Sequence, residues 1–107
     1  MSARVGSVAD NRAGGWYSYR ASKAAVNSIA GSLDIMLAAR SGDKAVALAY
    51  HPGTVRTDFS RPFWGRVPEK QLFSPEYAVE RMVAVVRGLD LRDRGKCLDW
   101  KGEVIPP

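Results

Sequence analysis

The chain has 107 residues, with 16 Lys and Arg against 11 Asp and Glu, one His, one Cys and 46% hydrophobic residues. That is enough for one small domain. Ordinary apolar content and interspersed charge exclude a disordered tail, no apolar run reaches the roughly 18 residues of a membrane helix, and the lone Cys97 excludes an internal disulfide framework or a cysteine-rich metal site. The net charge of +5 is carried by scattered single Arg and Lys residues, which predicts a solvated basic surface rather than a nucleic-acid site. No charged-then-apolar leader opens the sequence, so a cytoplasmic protein is expected.

Residues 1–15, rich in Ser, Gly, Ala, Asp and Asn, read as a loop with a strand end at residues 3–5. A helix is predicted over residues 17–40, from Tyr17 to Arg40. It lacks proline and places Val26, Ile29, Leu33, Met36 and Leu37 at the spacing of one helical face. Ala24, Ala25, Ala30 and Gly31 are small enough to admit a close neighbour. Ser41-Gly42-Asp43 ends the helix, with Gly42 as a left-handed cap. Residues 45–50 form a short, nearly continuous apolar run, the pattern of a strand buried on both faces in a parallel sheet.

Residues 54–73 read as a long loop carrying Phe59, Phe63 and Trp64, and a loop of that length inside a compact domain is a functional candidate. Ser74-Pro75-Glu76 opens a second helix as N-cap, first helical residue and acid at the positive end. Its apolar face is Ala78, Met82, Val85, Val86 and Leu89. A charged turn at residues 90–95 leads to a short strand at residues 96–100. Strands separated by helices predict an α/β fold with a parallel sheet. Two clear strands are too few to cover two amphipathic helices, which predicts membership of a larger sheet.

The chemistry lies in Tyr19-Arg20-Ala21-Ser22-Lys23. Positions i and i+4 share one helical face, so Lys23 stands beside Tyr19. An ammonium favours the phenolate, and acid chemistry at neutral pH asks for a downward shift of roughly 3 units, about 4 kcal/mol. By itself Tyr-x-x-x-Lys is equally a solvated contact on an amphipathic helix. The neighbourhood adds to it: Ser2 and Ser7 in the preceding loop, Gly14-Gly15 just before the helix, Ala24-Ala25-Val26-Asn27 after Lys23, and Pro52-Gly53-Thr54-Val55-Arg56-Thr57 after the buried strand.

Together these motifs resemble the short-chain dehydrogenase/reductase family. The run from Gly14 to Lys23, with Ser2-Ala3-Arg4-Val5-Gly6-Ser7 before it, is similar to the subgroup of Sniffer-type carbonyl reductases and C-factor-like proteins. The resemblance covers essentially the whole chain. It implies a segment of a doubly wound Rossmann-type sheet: two long helices and two to three strands of the C-terminal half, forming a single partial domain over residues 1–107. The glycine-rich turn that receives the cofactor phosphates in such folds has no counterpart here.

The resemblance also implies roles. Tyr19 would be the general acid for carbonyl reduction, and Lys23 would assist it and hold the nicotinamide ribose. Pro52 and Gly53 would pass beside the nicotinamide, with Val55 and Thr57 reaching its carboxamide or phosphate. The substrate serine falls on Gly6, next to Ser7, when counted back from Tyr19, and on Ser2 and Ala3 when the family's paired serines are aligned. Ser7 is the first choice and Ser2 the alternative. Phe63 and Trp64 either face an apolar substrate or pack on the second helix. The cofactor would be NADP or NAD, the subgroup favouring NADP, and the substrate a small carbonyl compound or alcohol. A homo-oligomer through the first helix is expected, with no metal, nucleic-acid or membrane partner. His51 and Cys97 are expected to be structural. Lacking most of the cofactor site, the chain alone is expected to be marginally stable and inactive. The alternative is a non-catalytic interaction partner of full-length relatives.

Overall fold

The computed structural model describes all residues, 1–107. Two helices, α1 (Tyr17–Ser41) and α2 (Pro75–Arg87), pack on short strands: β1 (Ala49–His51), β2 (Thr54–Val55), β3 (Leu72–Phe73), β4 (Cys97–Asp99) and β5 (Val104–Ile105). The main sheet runs β1-β4-β5, and β2-β3 form a separate pair. β1 and β4 are parallel with Tyr50 opposite Leu98, as the strand–helix alternation predicts, while β5 returns antiparallel with Ile105 opposite Cys97. The expected α/β architecture is confirmed. β5 was not predicted, because two residues carry no periodicity.

The apolar run at 45–50 is a shorter strand than expected. β4 offers only three partners, and the ladder ends in bonds from the Gly95 N–H to the Ala47 carbonyl (2.8 Å) and from the Ala49 N–H to the Lys96 carbonyl (2.8 Å). Nor is there a strand at residues 3–5. Those residues enter a 3-10 turn, Arg4–Gly6, and only the Ser2 N–H pairs with β1, at the Tyr50 carbonyl (2.8 Å). The turn is forced by close approach: a Cβ on Gly6 would stand 2.6 Å from the Lys23 carbonyl carbon. Gly42 has φ 58° and ψ −122°, positive as expected but outside the left-handed helical well.

The helical face was misjudged. α1 turns Ala30 and Asp34 to the sheet, whereas Ile29 (64% exposed), Leu33 (42%) and Met36 (40%) lie open. Polar ties decide the rotation. Asp34 accepts the Ala47 N–H (2.9 Å) and the Arg94 Nε (3.0 Å), and Arg94 also donates to the Gly42 carbonyl (3.0 Å). Ala30 then packs on Ala49, Cys97 and Ile105. Small residues, rather than large ones, let the helix sit close. The result is an open molecule. A compact chain of this mass exposes about 5,900 Å², and this one exposes 7143 Å².

α2 follows its sequence signals more closely. Ser74 Oγ accepts the Tyr77 N–H (3.1 Å), as an N-cap should. Val85 joins Tyr50 and Leu98 in a second core cluster, with Met82 and Leu89 against it, although Val86 remains 57% exposed. Residues 54–73 are more ordered than a loop, because β2 and β3 pair in parallel and enclose 3-10 turns at Arg61–Arg66 and Glu69–Gln71.

Candidate active site

A groove of about 450 Å³ runs between the start of α1 and the turn after β1. Trp16, Tyr19 and Ser2–Val5 form one side. His51, Pro52–Val55, Thr57, Phe59 and Ser60 form the other. The helix carries Tyr19 here because Gly6 lets the 2–5 segment lie directly against α1. One turn on, Lys23 Nζ stands 5.8 Å from the centre of the Tyr19 ring. The helical spacing therefore does bring the pair together. Burial pushes the Tyr19 hydroxyl pKa up from its ordinary value, so in the chain by itself the downward shift expected from Lys23 does not dominate.

The candidate serines separate. Ser2 lines the groove, but its hydroxyl donates to Asn27 Oδ1 (2.6 Å) and lies 3.4 Å from the Lys23 carbonyl. Ser7, the first choice from the sequence, lies outside the groove. Its Oγ accepts the Asp10 N–H (3.0 Å) and lies 3.4 Å from the Pro107 carbonyl, because the 3-10 turn at Arg4–Gly6 carries it past the site. Ala3 takes the wall position between Ser2 and Arg4. Arg4, not singled out from the sequence, is the only charged residue lining the groove. It is held by Asp99 (3.1 Å) and Asp10 (3.0 Å).

The 57–66 segment is anchored on Ser60. This buried hydroxyl accepts the Thr57 N–H (3.2 Å) and Trp64 Nε1 (2.8 Å), and donates to the Val55 carbonyl. The expectations for the aromatics resolve differently. Phe63 stacks on Trp16 with ring centres 5.0 Å apart, and Phe59 approaches Tyr19 at 6.4 Å. Trp64 lies between Arg56 and Arg61, each 5.8 Å from its ring centre, and does not line the groove.

The sequence and the fold match parts of known proteins. No family model matches the chain. It is 34% identical over 106 residues to C-signal of Myxococcus xanthus, covering 99% of this chain and 58% of that protein. Its fold superposes on the carbonyl reductase Sniffer of Drosophila melanogaster with a TM-score of 0.82 and 25% identity, covering 100% of this chain and 39% of that one. It matches the NADPH-bound carbonyl reductase from chicken fatty liver equally well, with a TM-score of 0.82 and 29% identity, over 99% of this chain and 40% of that one. In sequence and fold the chain is similar to part of the short-chain dehydrogenase/reductase proteins. It spans about two fifths to three fifths of these relatives' length.

Among the positions that match the family's motifs, Pro52, Gly53, Val55 and Thr57 line the groove together with Tyr19. Gly53 has φ 79°, and a Cβ there would stand 2.5 Å from the Phe73 ring, so the turn accepts only glycine. Trp16, Arg4 and Ser60 were missed. Trp16 had a signal, since an aromatic directly after Gly14-Gly15 marks an unusual helix start.

His51 is half-buried in the groove wall, edge-on to Trp100 at 5.5 Å, with a buried and unpartnered Nδ1. Burial, and secondarily the Arg4 charge, push its pKa from 6.5 down to about 4. The unfolded chain takes up this proton near pH 6.5 and the folded chain only near 4. The fold therefore keeps its full stability above pH 6.5 and loses about 3 kcal/mol as pH falls to 4. Urea titrations of the parent and His51→Asn across that window are expected to show a shallower decline in the variant. Equal slopes would show that His51 does not drive the acid loss.

Proposed function

We propose that this chain carries the proton-transfer half of a carbonyl reductase of the short-chain dehydrogenase type. The observation that carries this reading is the placing of Tyr19, with Lys23 one turn behind, on a groove walled by Pro52–Val55 and Thr57. Tyr19 holds the proton and delivers it to the carbonyl oxygen as the C=O becomes an alcohol. Burial keeps the phenol protonated through the neutral range. The Lys23 ammonium offsets the charge left on the phenolate oxygen when the proton departs. Ala3 supplies no hydroxyl and Ser2 is bonded to Asn27, so Tyr19 is the principal hydrogen-bond donor to the substrate oxygen.

The groove residues fit the nicotinamide end of NADPH or NADH, with Thr57 as a polar contact and Pro52–Val55 as the wall, and Lys23 stands one turn behind Tyr19. A reduced nicotinamide held there would supply the hydride for the carbonyl carbon. Neither helix follows a strand through a glycine-rich turn, so the chain offers no equivalent seat for the pyrophosphate. The chain alone is therefore expected to bind NADPH weakly and not to turn over. The test is a chimera in which residues 1–107 replace the matching part of the chicken carbonyl reductase. NADPH-dependent reduction of small ketones and aldehydes supports the reading. A folded chimera that binds NADPH and reduces nothing overturns it.

The exposed stripe of Ile29, Leu33 and Met36 favours a second reading, in which α1 docks on another subunit, either a second copy or a full-length relative. No helix is long and apolar enough to cross a membrane. Leu33→Lys is expected to leave the unfolding midpoint unchanged and to abolish mixed oligomers in sedimentation runs with a full-length relative. Assembly that survives the charge would exclude this face.

A further inference from the structure

Trp16 is the only non-glycine residue with positive φ, at 53°, and it follows Gly14 (65°) and Gly15 (66°). Large side chains avoid this conformation. Trp16 is also the N-cap of α1 and makes no side-chain capping bond, where a short polar residue is the stabilising choice. Strain combined with a missing cap on a 25-residue helix signals a functional constraint. The constraint is visible in the rings: Trp16 lies 5.0 Å from Phe63 and 5.9 Å from Tyr19, centre to centre.

Arg20 holds this arrangement. Its Nε and Nη2 donate to the Gly14 carbonyl (3.3 and 3.1 Å), Nε also donates to Gly15 (3.0 Å), and Nη1 donates to Val5 (3.2 Å). Its own N–H bonds the Trp16 carbonyl (2.8 Å). None of its bonds goes to a carboxylate. A planar fork bridges diverging carbonyls in a way that a single ammonium cannot.

We propose that Arg20 is a positioning residue. Its guanidinium ties the left-handed Gly14-Gly15-Trp16 loop to the Val5 segment, and so sets Trp16 as the surface on which Phe63 seats the Arg61–Arg66 segment beside the Tyr19 groove. This rests on the groove being the reactive site, but the test reads seating rather than turnover, so either idea can fail without the other.

Trypsin provides the readout on the full chain. Arg66 is exposed in the seated segment, and Arg87, exposed at the end of α2, is the internal reference. Arg20→Lys is expected to speed cleavage after Arg66 about ten-fold with cleavage after Arg87 unchanged, in a chain of unaltered helical content. Phe63→Ala, which leaves Arg20 and its loop intact, is expected to give the same acceleration. The double variant should be no faster than either single one. Parent-like cleavage in Arg20→Lys, equal acceleration at both sites, or multiplied rates in the double variant would each overturn the proposal. Arg20→Gln serves if the Lys variant does not fold. Unfolding of both counts against a positioning role, which leaves the fold standing.

Discussion

Replacing Tyr19 with phenylalanine in the active chimera is expected to lower carbonyl reduction by about 10²- to 10⁴-fold, the range spanned by a general acid. Phenylalanine keeps the ring that meets Trp16 at 5.9 Å and Phe59 at 6.4 Å, so the groove wall stays in place and only the proton donor is removed. The loss should fall on kcat, with little change in NADPH affinity. Reduction needs the protonated phenol, so the parent rate falls as pH rises through the Tyr19 pKa, while the residual rate of the variant does not. Burial pushes that pKa up and the Lys23 ammonium opposes it. Lys23→Met should therefore move the alkaline limb upward and lower the rate by less than Tyr19→Phe does. A Tyr19→Phe chimera retaining a tenth of parental kcat would remove Tyr19 from the mechanism.

Asp99→Ala is expected to cost about 2–3 kcal/mol of stability, the upper part of the range for leaving buried donors without their acceptor. The carboxylate is 1% exposed. Oδ1 accepts the Lys101 N–H (2.9 Å) and the Glu103 N–H (3.0 Å), and Oδ2 accepts Arg4 Nη2 (3.1 Å). One side chain thus closes the β4–β5 turn and fixes the arginine beside the groove. Alanine leaves two backbone donors and Arg4 Nη2 without their acceptor, and unmade bonds of this kind cost more than made ones return. Asp99→Asn keeps an acceptor for the turn but opposes Arg4 with an amide, so it should lose less. Urea unfolding followed by circular dichroism measures both variants. A loss under about 1 kcal/mol for alanine would show that the turn closes without the carboxylate.

What was legible in the sequence is what lies within one helical turn or one short motif. The Tyr19–Lys23 pairing, the Ser74 cap with Pro75 behind it, the Pro52-Gly53 turn and the parallel strand–helix alternation all depend on neighbours a few residues away. Spacing and conformational preference suffice for these. The readings that failed depend on distant partners. Periodicity assigned the large residues Ile29, Leu33 and Met36 to the buried side of α1, yet the helix is rotated by Asp34, whose partner Arg94 lies 60 positions on. Counting residues favoured Ser7 over Ser2, but a 3-10 turn packed through Gly6 carried Ser7 to the Pro107 carbonyl.

By itself, then, the sequence determined the class of fold, the two helices and their approximate limits, and the placing of Lys23 beside Tyr19 on one helical face, because these follow from local sterics and i,i+4 geometry. Only the tertiary structure decided which face of α1 meets the sheet, which serine reaches the groove, how Asp99 ties Arg4 across 95 positions, and how Arg20 and Trp16 shape the wall above Tyr19. Each of those is settled by a buried polar group or an aromatic ring meeting its partner across the chain, and local spacing carries no information about such meetings.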